Sequence, residues 1–186
     1  MTTNVLVLSG PAGVGKSSAA IELSLQLQRD GTPHALIDTD ELDRIYPVPA
    51  DLAAITEANL TAMWGEFARR GVRRLILVGV YLDRPSEQAW VERAVPDSTV
   101  ALVRLMASEE TLRGRIAGRE LGSGHADQLK RTAAQLAAMS RDLSGAVTVL
   151  RTDGRTVADV AAHVRKEWAQ RDAGLSPVRP RADGPR

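Results

Sequence analysis

The stretch that most constrains how this chain can fold is Gly10-Pro11-Ala12-Gly13-Val14-Gly15-Lys16-Ser17, a complete G-x-x-x-x-G-K-[ST] pattern set between two runs of different period. Val5 to Leu8 ahead of it is continuously apolar and ends at Ser9-Gly10, which reads as a buried strand. From Lys16 onward Ala20, Leu23 and Leu27 share a helical face, and Gly31 stands where a C-terminal cap belongs. A strand, a glycine-rich turn and a helix in that order aim backbone N–H groups and the positive end of a helix dipole at one point. That point suits a phosphate. Lys16 is placed to reach the β and γ phosphates of a nucleotide, Ser17 to ligate Mg²⁺, and Ser18 to assist at the α phosphate. An ordinary glycine-rich turn would share the glycines but not the flanking strand and helix.

The rest of the chain alternates in the same way. Short apolar strands are predicted at Ala35 to Ile37, Leu75 to Val80, Thr99 to Leu105 and Val147 to Leu150. Between them, Leu52, Ile55, Leu60, Met63, Trp64 and Phe67 recur at helical spacing, and Ser86 to Arg93 reads as a helix. Ser108-Glu109-Glu110 starts another helix with a serine cap and acids in its first turn. Leu129, Ala133, Leu136 and Met139 mark the next helix, and Thr156 caps the last, whose face is Val157, Val160, Ala161, Val164 and Trp168. Alternating strands and helices imply an α/β fold with a parallel sheet and right-handed crossovers. Ligands of such sheets sit beyond the C-terminal strand ends, which directs attention to Ser9–Ser18, Asp38–Asp40 and Val80–Arg84. Glu120 to His125, with Gly122 and Gly124 and no apolar period, reads as a mobile loop. The expected organisation is one domain over residues 1–172 with a lid around 113–128, then a disordered proline-rich tail over 173–186.

Composition removes several functions. A formal net charge of +1 gives no whole-chain electrostatic case for nucleic acid or an anionic membrane. One phenylalanine, two tyrosines and three tryptophans are too few for extended stacking on bases. The absence of cysteine excludes disulfides and thiolate chemistry, and no run is long enough to span a membrane, so a cytoplasmic protein is expected, as a monomer or homodimer. His34, His125 and His163 have no metal-ligand spacing. Arginine is abundant, whereas the lysines are only Lys16, Lys130 and Lys166.

Three further places carry candidate chemistry. Asp38 and Asp40 flank Thr39 at the end of the second strand, where alternate residues face one side, towards the cradle; the same acids would equally cap the following turn. Arg113, Arg115 and Arg119 precede the glycine-containing loop, where a closing arginine would stabilise phosphoryl charge and exclude water, and where a solvated helix face would look the same. An acceptor pocket is expected among Asp40, Arg44, Tyr46, Trp64, Tyr81, Asp83 and Arg84, although Trp64 lies on an apolar helical stripe.

The cradle and the acidic end of the second strand, on a chain of this length, resemble the nucleoside-monophosphate-kinase-like P-loop kinases, a group that includes gluconate, shikimate and adenylylsulfate kinases and chloramphenicol phosphotransferase. The resemblance implies a three-layer sandwich with strand order 2-3-1-4-5 and a short mobile lid. It also implies an ATP- and Mg²⁺-dependent transfer to a hydroxyl of a small molecule, either metabolite or antibiotic. Asp40 then corresponds to the base on the acceptor hydroxyl, and Asp38 to the acid that helps hold Mg²⁺ through water. Arg115 and Arg119 resemble the lid's R-x-x-x-R pair, and Gly154 lies where relatives bring backbone against adenine. No glycine triplet follows the third strand, where Val78-Gly79-Val80-Tyr81-Leu82-Asp83 stands, unlike shikimate kinase. "LIDTDELDRIYP" is closer to the strand end of chloramphenicol phosphotransferase. A nucleotide or polynucleotide 5'-hydroxyl kinase, or a nucleotide-binding switch or ATPase acting through a partner, is the alternative.

Overall fold

A computed structural model describes residues 2–118, 125–141 and 147–172. Arg119, the glycine-containing part of the expected lid and the expected disordered tail lie outside the described residues.

The order of elements is β1 (Thr3–Ser9), α1 (Lys16–Arg29), β2 (Ala35–Asp38), a 3-10 turn (Thr39–Glu41), α2 (Leu52–Arg69), β3 (Arg74–Val78), α3 (Pro85–Ala94), β4 (Ser98–Met106), α4 (Glu109–Ala117), α5 (His125–Arg141), β5 (Thr148–Arg151) and α6 (Val157–Ala169). All strand pairs are parallel and the sheet order is β2-β3-β1-β4-β5, the order expected. Because β1 is central, Leu8 is level with Val78 on one side and Val103 on the other.

Successive side chains of β1 supply two cores. Leu6 and Leu8 join Ile76, Val78, Val103 and Leu105 beneath α1 and α6, where Leu23, Leu27, Val164 and Trp168 are buried. Val5 and Val7 join Leu75, Leu77 and Leu102 against Leu60 and Trp64 of α2 and Val91 of α3. A strand covered on both faces has no solvent side, which is why β1 and β3 read as unbroken apolar runs.

Local signals set the ends. Gly31 takes a left-handed conformation just past α1 (φ 63°), Ser108 caps α4 by accepting the N–H of Thr111, and Thr156 forms a reciprocal capping box with Asp159. β3 ends earlier than the sequence suggests. Gly79 donates one more N–H to the carbonyl of Leu8 at 3.1 Å, and then the chain turns away. A Cβ on Gly79 would lie 2.4 Å from Thr39 Oγ1 and 2.7 Å from Leu82 Cδ1, so only glycine lets the β3 exit and the 3-10 turn approach so closely. Among the described residues no helix is long and apolar enough to cross a membrane.

Candidate active site

The cradle follows the central strand, so its loop rises at the C-terminal edge of the sheet. Gly10, with φ +145°, passes close under the sheet edge: a Cβ there would come 2.4 Å from the Leu105 carbonyl oxygen. Gly15, left-handed, forms the N-cap of α1 and makes no side-chain cap. The positive end of the α1 dipole therefore lies at the cleft, which Lys16, Ser17 and Ser18 line. Lys16 folds back over the loop, its Nζ donating to the carbonyls of Gly10 at 2.9 Å and Pro11 at 3.2 Å.

Asp38 ends β2 and joins both halves of the site. Its Oδ2 accepts the Ser17 hydroxyl at 2.8 Å, while Oδ1 accepts the backbone N–H of Asp40 at 3.2 Å. The capping role and the approach to the cradle, separate alternatives in the sequence, are both present. Ser17 and Asp38 offer hard oxygen donors, which fit Mg²⁺. Among the described residues no group of three or more histidines or acids could hold a metal ion, so an ion here would draw further ligands from phosphate and water.

Asp40 stands beside Asp38 and Lys16 on the same cleft, of about 210 Å³. Its carboxyl is raised above the usual aspartate range, first by desolvation and then by the Asp38 charge, with Lys16 opposing. The same residue also lines a second hollow of about 380 Å³, together with Asp43, Thr56, Leu82, Glu87 and Trp90. Asp40 is thus the point at which the two spaces meet. On the other flank of the cradle a third hollow, about 400 Å³, shares Gly13, Gly15 and Ser18 with the first and continues to Arg115, Thr152 and Arg155. The three spaces are joined through the cradle on one side and Asp40 on the other, an arrangement with room for a base, a polyphosphate and an acceptor.

The structure redistributes several expected residues. Asp83 is not in the acceptor hollow: it is 3% exposed, ion-paired with the equally buried Arg104, and accepts the Ser9 hydroxyl at 2.6 Å. Arg104 also donates to the Met139 carbonyl, tying α5 to the sheet. Trp64 is core, because its helical stripe packs on the sheet. Tyr46 is 93% exposed in the loop before α2, Arg44 is exposed and paired with Glu41, and Tyr81 lies under the Arg84 guanidinium at 3.6 Å; none of these lines either cleft that Asp40 lines. Arg44 still acts on Asp40 at a distance, opposing the rise in its carboxyl.

Arg115 lines the third hollow and not the cleft that Asp38 and Asp40 line. Its guanidinium donates to the Val14 carbonyl at 3.0 Å, the Thr152 hydroxyl at 2.9 Å and the Thr152 carbonyl at 2.9 Å. This fork clamps the cradle to the loop after β5. Gly154 makes the left-handed turn of that loop (φ 64°), but Thr152 and Arg155 face the hollow. Asp153 turns away and accepts the Ser108 N–H and the Thr111 hydroxyl; these bonds, led by the backbone one, hold its carboxyl far below the usual range.

Sequence reasoning found α5 by its apolar face but missed its part in the site. Gln135 Oε1 accepts the N–H of Ala12 in the cradle at 2.9 Å, and Gln128 faces the phosphate cleft. Gln128, Thr132 and Gln135 recur at helical spacing, a polar row beside the apolar face that was the only available signal. Asp43, Thr56, Glu87 and Trp90 were missed because their convergence is tertiary.

The chain matches the model of a family described as the AAA domain over residues 5–145. A sugar kinase from Janibacter sp. HTCC2649 superposes with a TM-score of 0.64 at 18% identity, covering 95% of this chain and 99% of that one. A gluconokinase from Sinorhizobium meliloti 1021 gives 0.60 at 20% identity over 92% and 95%. The tunicamycin resistance protein of Deinococcus radiodurans gives 0.56 at 17% identity over 96% and 99%. These likenesses establish a P-loop kinase-like fold. No curated protein matches the sequence.

Proposed function

Since the chain belongs to the AAA-domain family and has a P-loop kinase-like fold, we propose that it is an ATP- and Mg²⁺-dependent phosphotransferase acting on a hydroxyl of a small molecule. The observation that carries this reading is the position of Asp40, shared by the cradle's cleft and by a separate hollow large enough for a small acceptor. A protein that only switches on nucleotide needs no second compartment there.

In this reading the base of ATP lies beside Arg115 and Thr152, and its phosphates run along the cradle. Lys16 leaves its carbonyl partners for the β and γ phosphates, a short swing for a flexible side chain. Ser17 and Asp38 would hold Mg²⁺, which when bound would supply charge neutralisation at the phosphates. The acceptor hydroxyl is oriented by Asp40; its oxygen bonds to the γ phosphorus, the bond to the β–γ bridging oxygen breaks, and ADP leaves with that electron pair. Asp40 takes the hydroxyl proton. A carboxyl held above its ordinary range is a stronger base once ionised than an aspartate within that range. Arg119 is proposed, from the R-x-x-x-R resemblance, to meet the charge on the transferring phosphoryl group.

The test is incubation with Mg-ATP and a library of hydroxylated small molecules, read by product mass. Phosphorylated acceptor is expected, and Asp40→Asn should lower transfer by roughly 10²–10⁴-fold while ATP affinity is kept. Hydrolysis to ADP across a broad library with no phosphorylated product would reject the proposal.

A further inference from the structure

A closed ring of hydrogen bonds ties α5 to the phosphate cradle. Ser9, the last residue of β1, donates its hydroxyl to Asp83 Oδ1 at 2.6 Å. Arg104 on β4 pairs with the other carboxylate oxygen and donates through Nη1 to the Met139 carbonyl of α5 at 3.0 Å. One helical turn back along α5, Gln135 Oε1 accepts the Ala12 N–H at 2.9 Å, and the loop from Ser9 to Ala12 completes the ring. Ser9, Asp83, Arg104 and Met139 are each 3% exposed or less, so every link but the last lies out of water. α5 is thereby a strut with its foot in the sheet and Gln135 at the cradle.

The peptide that Gln135 grips has a second end. The Ala12 N–H and the Pro11 carbonyl belong to one planar trans unit, so fixing the direction of the first fixes the opposite direction of the second. That carbonyl accepts Lys16 Nζ at 3.2 Å and the Val14 N–H at 3.3 Å. Gly10 and Gly13 flank the unit, and glycine resists rotation of a neighbouring peptide least. Without the Gln135 oxygen the unit is free to turn and carry its carbonyl away from Lys16. Gln135 does not line the cleft that Ala12, Gly13 and Lys16 line, so its effect on a bound phosphate runs through this peptide.

We infer that Gln135 is a positioning residue of the cradle: it pins the Pro11–Ala12 peptide, and through the Pro11 carbonyl it sets where the Lys16 ammonium stands. The consequence for turnover rests on the kinase reading above; the grip on the cradle does not.

Amide hydrogen exchange on the full chain, read by two-dimensional ¹H–¹⁵N NMR with and without the non-hydrolysable analogue Mg-AMP-PNP, tests the grip. Ala12 should exchange slowly in both states. Gln135→Met keeps the side-chain length without the carbonyl oxygen, so Ala12 should exchange about tenfold faster or more, whereas Gln135→Glu keeps an acceptor and the protection. Calorimetric affinity for Mg-AMP-PNP should fall about fivefold in Gln135→Met. In Mg-ATP turnover, with ADP as the signal, the same variant should lower kcat by roughly ten- to a hundredfold, and Gln135→Glu should recover most of that loss. Leu136→Ala loosens α5 against the core and should lower the melting temperature while leaving kcat unchanged. Equal Ala12 exchange in wild type and Gln135→Met, loss of its protection when Mg-AMP-PNP binds, unchanged kcat in Gln135→Met, or an equal fall in Leu136→Ala would overturn the inference. A protein that forms no ADP removes the kinase reading, while exchange and affinity, which need no transfer, still uphold or reject the grip.

Discussion

Replacing Asp83 with alanine should unfold the protein at much lower denaturant, without making Asp83 an acceptor ligand. Asp83 and Arg104 have side chains 1% and 2% exposed, and both carboxylate oxygens are used, one by Arg104 and the other by Ser9. Taking away the acid deprives a buried guanidinium of its Asp83 carboxylate and leaves a buried hydroxyl reduced to a 3.3 Å contact with the Val80 carbonyl. Breaking one side of such a pair costs about 3–5 kcal/mol. Against a total stability of roughly 5–15 kcal/mol that is a large fraction. With a urea slope of about 2 kcal/mol per molar for a domain of this size, the midpoint should fall by roughly 1.5–2.5 M. The double variant Asp83→Leu, Arg104→Met removes both charges and should recover most of the loss, since apolar replacements of buried pairs are often neutral or stabilising. The assay is urea unfolding followed by tryptophan fluorescence and far-ultraviolet circular dichroism, with Asp83→Asn as a milder variant. If Asp83→Ala moves the midpoint by less than about 0.5 M and instead raises the acceptor KM, the buried pair is not what Asp83 is for.

Asp40 links activity to pH and to stability with opposite signs. Its raised carboxyl means the folded state binds more protons than the unfolded one between the two pKa values, so its ionisation costs stability as pH rises through that window. Asp40→Asn should therefore melt slightly higher than wild type at neutral pH, while the wild-type rate should fall on acidification with an inflection above the ordinary aspartate range; a variant that melts lower, or a rate flat down to that range, contradicts the assignment. Gly79→Ala should cost roughly 1–3 kcal/mol through crowding of Thr39 and Leu82, and should lower kcat by displacing the turn that carries Asp40. Unchanged unfolding and kcat would show that the close approach is unimportant. Arg115→Lys loses the fork across Val14 and Thr152, so the nucleotide KM should rise several-fold with the acceptor KM unchanged; the reverse pattern in steady-state kinetics would place Arg115 on the acceptor side.

What the sequence determined by itself is what short-range physics encodes. The strand, loop and helix around Lys16, the caps at Ser108 and Thr156, and the alternation that demands a parallel sheet all depend on residues within a few positions of one another. Their periods and turn chemistry are legible without a fold. Asp38 and Asp40 were legible too, because a strand end fixes their place relative to the cradle.

Tertiary structure decided everything that depends on distant partners. Asp83 reads as a pocket acid until Ser9, 74 residues away, and Arg104 enclose it. Arg115 reads as a lid residue until Val14, 101 residues away, accepts its guanidinium, and no sequence pattern joins Gln135 to Ala12, 123 residues away, which donates to it. The phosphate cradle is therefore written in one continuous stretch. The hollow beyond Asp40 is assembled from the 3-10 turn, α2 and α3 by packing against the sheet, and its character exists only once those elements meet.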